Sequence, residues 1–175
     1  MYMAGRNNMQ DDLIMVIVLM GVTGCGKTTV GKMLANQLGW EFYDADDFHP
    51  EANVEKMRNG IALNDEDRVP WLQALANLIE SADEQKHNII LACSALKHNY
   101  RKLLRHDLKP VRFIYLKGPH ELIKERLEAR KGHYMNPVLL QSQFQALEEP
   151  KDAIYMDISP EPDIIVSTIR KELGL

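Results

Sequence analysis

Cysteine is almost absent from this chain: Cys25 and Cys93 are the only two, with no C-x-x-C pair and no His/Cys spacing suited to zinc. That excludes a disulfide scaffold and predicts a reducing compartment. No apolar run approaches the roughly 20 residues a membrane-spanning helix needs. The formal charge is -4, so the chain also lacks the net basic surface that general nucleic-acid or anionic-membrane binding requires. These absences predict a cytoplasmic protein with no nucleic-acid or membrane partner. Repeats, low-complexity tracts and dividing linkers are missing too. The 175 residues, 45% of them hydrophobic, suit a single domain over 13–175 behind a polar, unpatterned leader over 1–12 that is expected to be disordered.

What is present is organised around Ile14 to Thr29. The apolar run Ile14 to Met20 feeds into Gly21-Val22-Thr23-Gly24-Cys25-Gly26-Lys27-Thr28 and then into a helical pattern. The spacing G-x-x-x-x-G-K-[ST] needs glycines so that successive backbone N–H groups can converge on phosphate oxygens, and the following helix adds its positive end. Gly21 through Thr29 are therefore predicted to cradle a nucleoside triphosphate. Lys27 would reach the β and γ phosphates, and the Thr28 hydroxyl would ligate the Mg²⁺ that travels with ATP. A secretory or lipoprotein signal around the same run is rejected, because Asp11 and Asp12 stand where a positive flank belongs and cleavage would discard half of a complete loop. A thiol at Cys25, beside converging N–H groups and a helix start, raises the expectation of peroxide-sensitive activity.

Val30, Met33, Leu34 and Leu38 recur at helical spacing, and Gly39 stands where a left-handed cap would end that helix. Glu41-Phe42-Tyr43 reads as a short second strand that delivers Asp44-Ala45-Asp46-Asp47 at its carboxyl end, where ligands bind in open α/β sheets. Period two along a strand would put Asp44 and Asp46 on one side, about 7 Å apart between Cα atoms, facing a metal and a hydroxyl. An acidic turn capping a helix at Pro50 is the equal alternative. Further helices are predicted over Pro50 to Met57, from Pro70 in the first turn of a segment carrying Leu72, Leu75, Leu78 and Ile79, and around Lys97, Tyr100 and Arg101. Others follow at about His120 to Arg130, Val138 to Leu147 and Asp163 to Leu173. Further strands are predicted over Asn88 to Cys93, Val111 to Leu116 and Ala153 to Ile158. Alternation of this kind points to a parallel sheet with helices on both faces.

The third strand runs into Cys93-Ser94-Ala95 and offers no aspartate. A switch GTPase or an ATP-driven motor places one there to hold the metal's water shell. The outer carboxylate must come from elsewhere, with Asp44 the best candidate, and this favours a small-molecule kinase.

The residues also carry longer patterns: Asp44-x-Asp46-x-x-His49-Pro50-x-x-Asn53-x-x-Lys56-Met57, Leu63-Asn64-Asp65-x-Asp67-Arg68-x-Pro70-Trp71-Leu72, and Cys93-Ser94-Ala95-Leu96-Lys97-x-x-Tyr100-Arg101. Phe113-Ile114-Tyr115-Leu116, Arg130-x-Gly132-His133 and Gln143-Phe144-x-x-Leu147-Glu148-x-Pro150 complete the set. With the phosphate loop they cover most of the chain beyond the leader and resemble the gluconokinases, which group with shikimate kinase among the small P-loop kinases. The resemblance implies a three-layer α/β sandwich, a five-stranded parallel sheet in the order 2-3-1-4-5 and a small helical lid at about 126–138. It implies ATP-dependent phosphorylation of the terminal hydroxyl of D-gluconate. Asp46 would orient that hydroxyl and take its proton, with Lys27 and Arg130 as further catalytic groups.

Gluconate is a carboxylate bearing a string of hydroxyls, so its pocket should mix cations with hydrogen-bonding groups. Arg68 is the first choice to grasp it, with His49, Lys97, Arg101 and His133 around it. Arg126 and Arg130, four apart on one helix face, would approach ATP. Asn64, Asp65 and Asp67 read equally as a helix-capping cluster, and Trp71 as core rather than a sugar platform. Ala45 stands where gluconokinases often have glycine, which could displace Asp46 slightly. Similar enzymes are often homodimers, which leaves that assembly open. A kinase for another hydroxy acid such as shikimate, or a non-catalytic ATP-binding regulator, are the rival readings.

Overall fold

The computed structural model describes residues 14–105, 111–129 and 137–175. The leader expected over 1–12, and Arg130, Gly132 and His133 of the expected lid, lie outside them. Strand β1 (Val16–Met20) is buried at all five positions, which is why every letter of it is apolar. A strand in the middle of a parallel sheet has no solvated face to populate with polar residues. It pairs in parallel with β3 (Ile89–Ala92) on one side and β4 (Val111–Lys117) on the other. Strand β2 (Glu41–Asp44) pairs with β3, and β5 (Ile154–Asp157) with β4. The order is therefore 2-3-1-4-5, all parallel, as the resemblance implied.

Successive residues of β1 feed opposite cores. Val16, Val18 and Met20 meet Trp71, Leu72, Leu75 and Ile79 of α3 (Asp65–Glu84) and Leu104 of α4 (His98–Arg105). Ile17 and Leu19 meet Val30 and Leu34 of α1 (Lys27–Leu38) and Ile165, Val166 and Ile169 of α7 (Pro162–Leu173). The remaining helices are α2 (Glu51–Arg58), α5 (His120–Glu128) and α6 (Pro137–Ala146). Among the described residues no helix is long and apolar enough to cross a membrane.

Two local expectations are corrected. Helix α3 begins at Asp65 rather than at Pro70, because Asn64 and Asp67 form a reciprocal capping box. Asp65, Glu66 and Asp67 then sit at the positive end of the helix, which compensates for a proline in the second turn. Strand β2 stops at Asp44, and a 3-10 turn over Ala45–Phe48 follows. Strand alternation therefore cannot be what relates Asp44 to Asp46.

Candidate active site

The phosphate loop leaves the end of β1 with three glycines at positive φ: Gly21 at 142°, Gly24 at 79° and Gly26 at 99°. Space demands glycine as well. A Cβ on Gly21 would stand 2.8 Å from the Leu116 carbonyl oxygen, and one on Gly24 would stand 2.7 Å from Leu127 Cγ. Gly26 is the cap from which α1 starts, so Lys27, Thr28 and Thr29 occupy the helix's first turn. Lys27 Nζ donates to the carbonyls of Gly21 (2.9 Å) and Val22 (3.0 Å). The Thr23 N–H donates to Gln143 Oε1 at 2.6 Å. Cys25 packs behind the loop at 1% exposure, so its thiol lacks the open access that the peroxide expectation requires.

Donor and acceptor sides meet at one carboxylate. Asp44 Oδ2 accepts from the Thr28 hydroxyl at 3.0 Å, while Asp44 Oδ1 accepts from the Asp46 backbone N–H at 3.1 Å. The pair of aspartates is thus assembled by a side-chain-capped turn. Among the described residues no group of three or more His, Cys, Asp or Glu could hold a metal. The hard oxygens of Thr28 and Asp44 suit instead a Mg²⁺ that keeps water and phosphate oxygens as most of its ligands.

Asp46 has a carboxyl pKa raised above the ordinary value, first by loss of hydration in the cleft and then by the neighbouring Asp44 charge; Lys27 and His49 oppose the shift. A raised pKa makes the carboxylate a better proton acceptor. His49 is shifted the other way, toward the neutral form, chiefly by burial, with Asp46 opposing and Arg68 assisting. Its ring stacks on Trp71, 4.6 Å between centroids with 10° between planes. Trp71 is core, as expected, and does more: its Nε1–H donates to the Ala45 carbonyl at 2.6 Å. Ala45 does not adopt positive φ, so its Cβ strains nothing at that turn.

Beside His49 lies a second charged group. Asp65 accepts from Lys97 Nζ at 2.7 and 2.8 Å and from the Tyr100 hydroxyl, and stands 3.9 Å from Arg68. The Arg68 guanidinium lies 5.9 Å over the Tyr100 ring. The Lys97 bond holds the Asp65 carboxyl below its usual range, and Asp65 in turn raises the Lys97 ammonium. Two cations and one carboxylate leave a single positive charge over, which matches a monocarboxylate. The capping reading holds for Asn64 and Asp67, whereas the Asp65 carboxylate faces Lys97 and Tyr100.

Hydrogen bonds thus join Thr28, Asp44, Asp46 and His49, Asp65 joins Arg68 to Lys97, and the charges of Lys27 and Arg68 act on Asp46 and His49 respectively. Two expected members point their donors elsewhere. Arg101 is buried and donates to the carbonyls of Ala95, Leu96 and Glu148 at 2.8, 2.9 and 2.8 Å, so it braces a loop instead of presenting a free cation. Arg126 donates to the Ile158 carbonyl at 2.7 Å, at the end of β5. Asp65, Tyr100 and Gln143 join the site without having been singled out as its members.

A phosphate loop on the central strand, with a paired carboxylate reached across the sheet and a cationic patch beyond it, defines a P-loop kinase for a small acceptor. A family model described as shikimate kinase matches residues 23–168. The thermoresistant gluconokinase of Escherichia coli (strain K12) is 44% identical over 159 residues, covering 88% of this chain and 91% of that protein. Among solved structures, a sugar kinase from Janibacter sp. HTCC2649 is 41% identical with a TM-score of 0.84, covering 92% and 95% of the two chains. A gluconokinase from Sinorhizobium meliloti 1021 is 33% identical with a TM-score of 0.80, covering 93% and 97%. The chain belongs to the gluconokinase family, within the wider shikimate kinase group.

Proposed function

We propose that the protein transfers the γ-phosphoryl group of ATP to the terminal hydroxyl of D-gluconate, giving ADP and 6-phospho-D-gluconate. The observation that carries this reading is the Asp44 carboxylate, which holds the Thr28 hydroxyl with one oxygen and the Asp46 backbone with the other. It ties the phosphate loop to the acceptor turn. In the transfer, the bond from the γ-phosphorus to the ADP oxygen breaks, a new bond forms to the gluconate oxygen, and that hydroxyl's proton passes to Asp46. Lys27 neutralises charge on the phosphates, and the loop between Gly21 and Thr29 cradles them with those of its amides that are not bonded within the protein, as Gly21, Thr23 and Cys25 are. Mg²⁺, which screens the phosphate charge, would be held by Thr28 directly and by Asp44 through its water shell. Arg68 and Lys97 take the substrate carboxylate, and His49, neutral, hydrogen-bonds a hydroxyl. The resemblance supplies Arg130 and His133 in a lid over 126–138 that closes the site and excludes water, whereas Arg126 is held by the Ile158 carbonyl. The protein acts in the cytoplasm, and the assembly proposed from the resemblance is a homodimer.

A coupled assay of ADP release across a panel of sugar acids and shikimate tests the reading. Gluconate should give the highest kcat/KM. Preference for shikimate, or ATP binding with no acceptor-dependent ADP release, would overturn it.

A further inference from the structure

The segment Gln143-Phe144-x-x-Leu147-Glu148-x-Pro150 has so far no role in the proposed reaction. It lies at the end of α6 and just beyond, and its polar groups reach two separate parts of the site. At one end Gln143 Oε1 accepts from the backbone N–H of Thr23, at the apex of the phosphate loop, across 120 residues of sequence at 2.6 Å. Five residues later, Glu148 uses its N–H, its carbonyl and its carboxylate on the loop between β3 and α4 and on α4 itself. The Glu148 N–H donates to the Leu96 carbonyl at 2.9 Å, its carbonyl accepts from Arg101 at 2.8 Å, and its carboxylate accepts from the His98 N–H at 2.7 Å. Lys97 is therefore flanked on both sides by residues bonded to Glu148. Leu147, between the two ends, packs against both cores, and the Phe144 ring lies 5.2 Å from that of His120 on α5. The span between the two polar ends is thus anchored in the body of the protein.

That loop has a reason to need holding. Ala95 adopts φ 44°, a left-handed conformation that a side chain disfavours, and its carbonyl is one of the three that Arg101 binds. A strained turn keeps one geometry only where its surroundings over-determine it, and Glu148 with Arg101 supplies that restraint.

We infer that Gln143 and Glu148 are positioning residues at the two ends of one brace, which keeps the nucleotide loop and the Lys97 loop at a set separation. Gln143 acts through the Thr23 amide on the bound triphosphate, and Glu148 acts through Leu96 and His98 on the cation that meets the acceptor. This inference rests on the proposed kinase reading.

The test separates the two ends. Gln143→Met preserves side-chain length and removes the acceptor. Equilibrium titration with a non-hydrolysable ATP analogue should show binding weakened about five- to tenfold, the size expected for one lost hydrogen bond, with the acceptor KM unchanged within about twofold. Glu148→Ala should do the reverse, raising the KM of the best acceptor in the panel about five- to tenfold while nucleotide binding stays within about twofold. Glu148→Gln, whose amide oxygen still accepts from the His98 N–H, should recover most of that loss. If both variants shift both constants alike, or lower only the melting temperature, the segment is ordinary packing and the brace is refuted. The analogue titration needs no acceptor, so a failure of the gluconate assignment would leave the Gln143 result interpretable.

Discussion

The indole N–H of Trp71 and the carbonyl of Ala45 are joined by a 2.6 Å hydrogen bond that ties α3 to the one residue standing between Asp44 and Asp46. Trp71→Phe keeps an aromatic ring against His49 and strands a buried carbonyl. Stability should fall by roughly 1–3 kcal/mol, readable by urea unfolding. If the bond sets the aim of Asp46, kcat should also fall about tenfold with nucleotide affinity intact, and a variant that is destabilised but catalytically normal would show that the turn holds itself.

Asp46→Asn should lower kcat at least about a hundredfold while leaving ATP binding in place. Because the Asp46 pKa is raised by lost hydration and by Asp44, the acid limb of the wild-type profile should lie above the ordinary aspartate value of about 3.9. The stability effect has the opposite sense. The folded state binds this proton more tightly than the unfolded one, so the group's contribution is present at low pH and is lost as pH rises through the folded value. Asp46→Asn should therefore melt higher than wild type near neutrality, and the gap should close toward acid pH.

The Thr28–Asp44 pair predicts a metal phenotype. Thr28→Val and Asp44→Asn should each raise the Mg²⁺ concentration needed for half-maximal turnover at fixed ATP, by about tenfold or more, and excess Mg²⁺ should restore part of the rate. Titration of Mg²⁺ under saturating gluconate reads this directly; an unchanged midpoint would remove both residues from the metal's surroundings.

Arg101 gives a stability prediction. Replacing it with leucine leaves the carbonyls of Ala95, Leu96 and Glu148 without their shared donor. The Leu96 carbonyl keeps the Glu148 N–H, so two carbonyls are left unpaired; at roughly 1–3 kcal/mol for each, the loss should reach about 2 kcal/mol or more. In a protein of this length that lowers the melting temperature by about 4–8 °C. Calorimetry showing a shift below about 2 °C would mean that other donors replace it.

What could be read in the letters was local. The phosphate loop combines a buried strand, three glycines that need positive φ and a helix start, all within sixteen residues, so its geometry follows from neighbours alone. The carboxylate pair was found at the correct strand end for an incorrect reason, since the backbone leaves the strand at Asp44 and a turn brings Asp46 back. At α3 the proline outweighed a capping box already visible at Asn64 and Asp67. What could not be read was the direction of long side chains. Arg101 and Arg68 carry the same charge, and only the fold decides that one faces three carbonyls and the other a site. Gln143 on Thr23 and Tyr100 on Asp65 are contacts across 120 and 35 residues, and nothing in the intervening spacing encodes them.

The sheet order has one more consequence. The phosphate loop leaves β1 and the acceptor turn leaves β2, and between these strands lies only β3. Two strand spacings amount to roughly 10 Å. The separation of the donor loop from the acceptor turn is thus set by the hydrogen-bond lattice of the backbone, with β3 between them. Cys93-Ser94-Ala95, first notable for lacking a carboxylate, carries the chain out of β3 into that gap with Cys93 and Ala95 turned into the core, so that Ser94 is the one side chain of the three left partly exposed there.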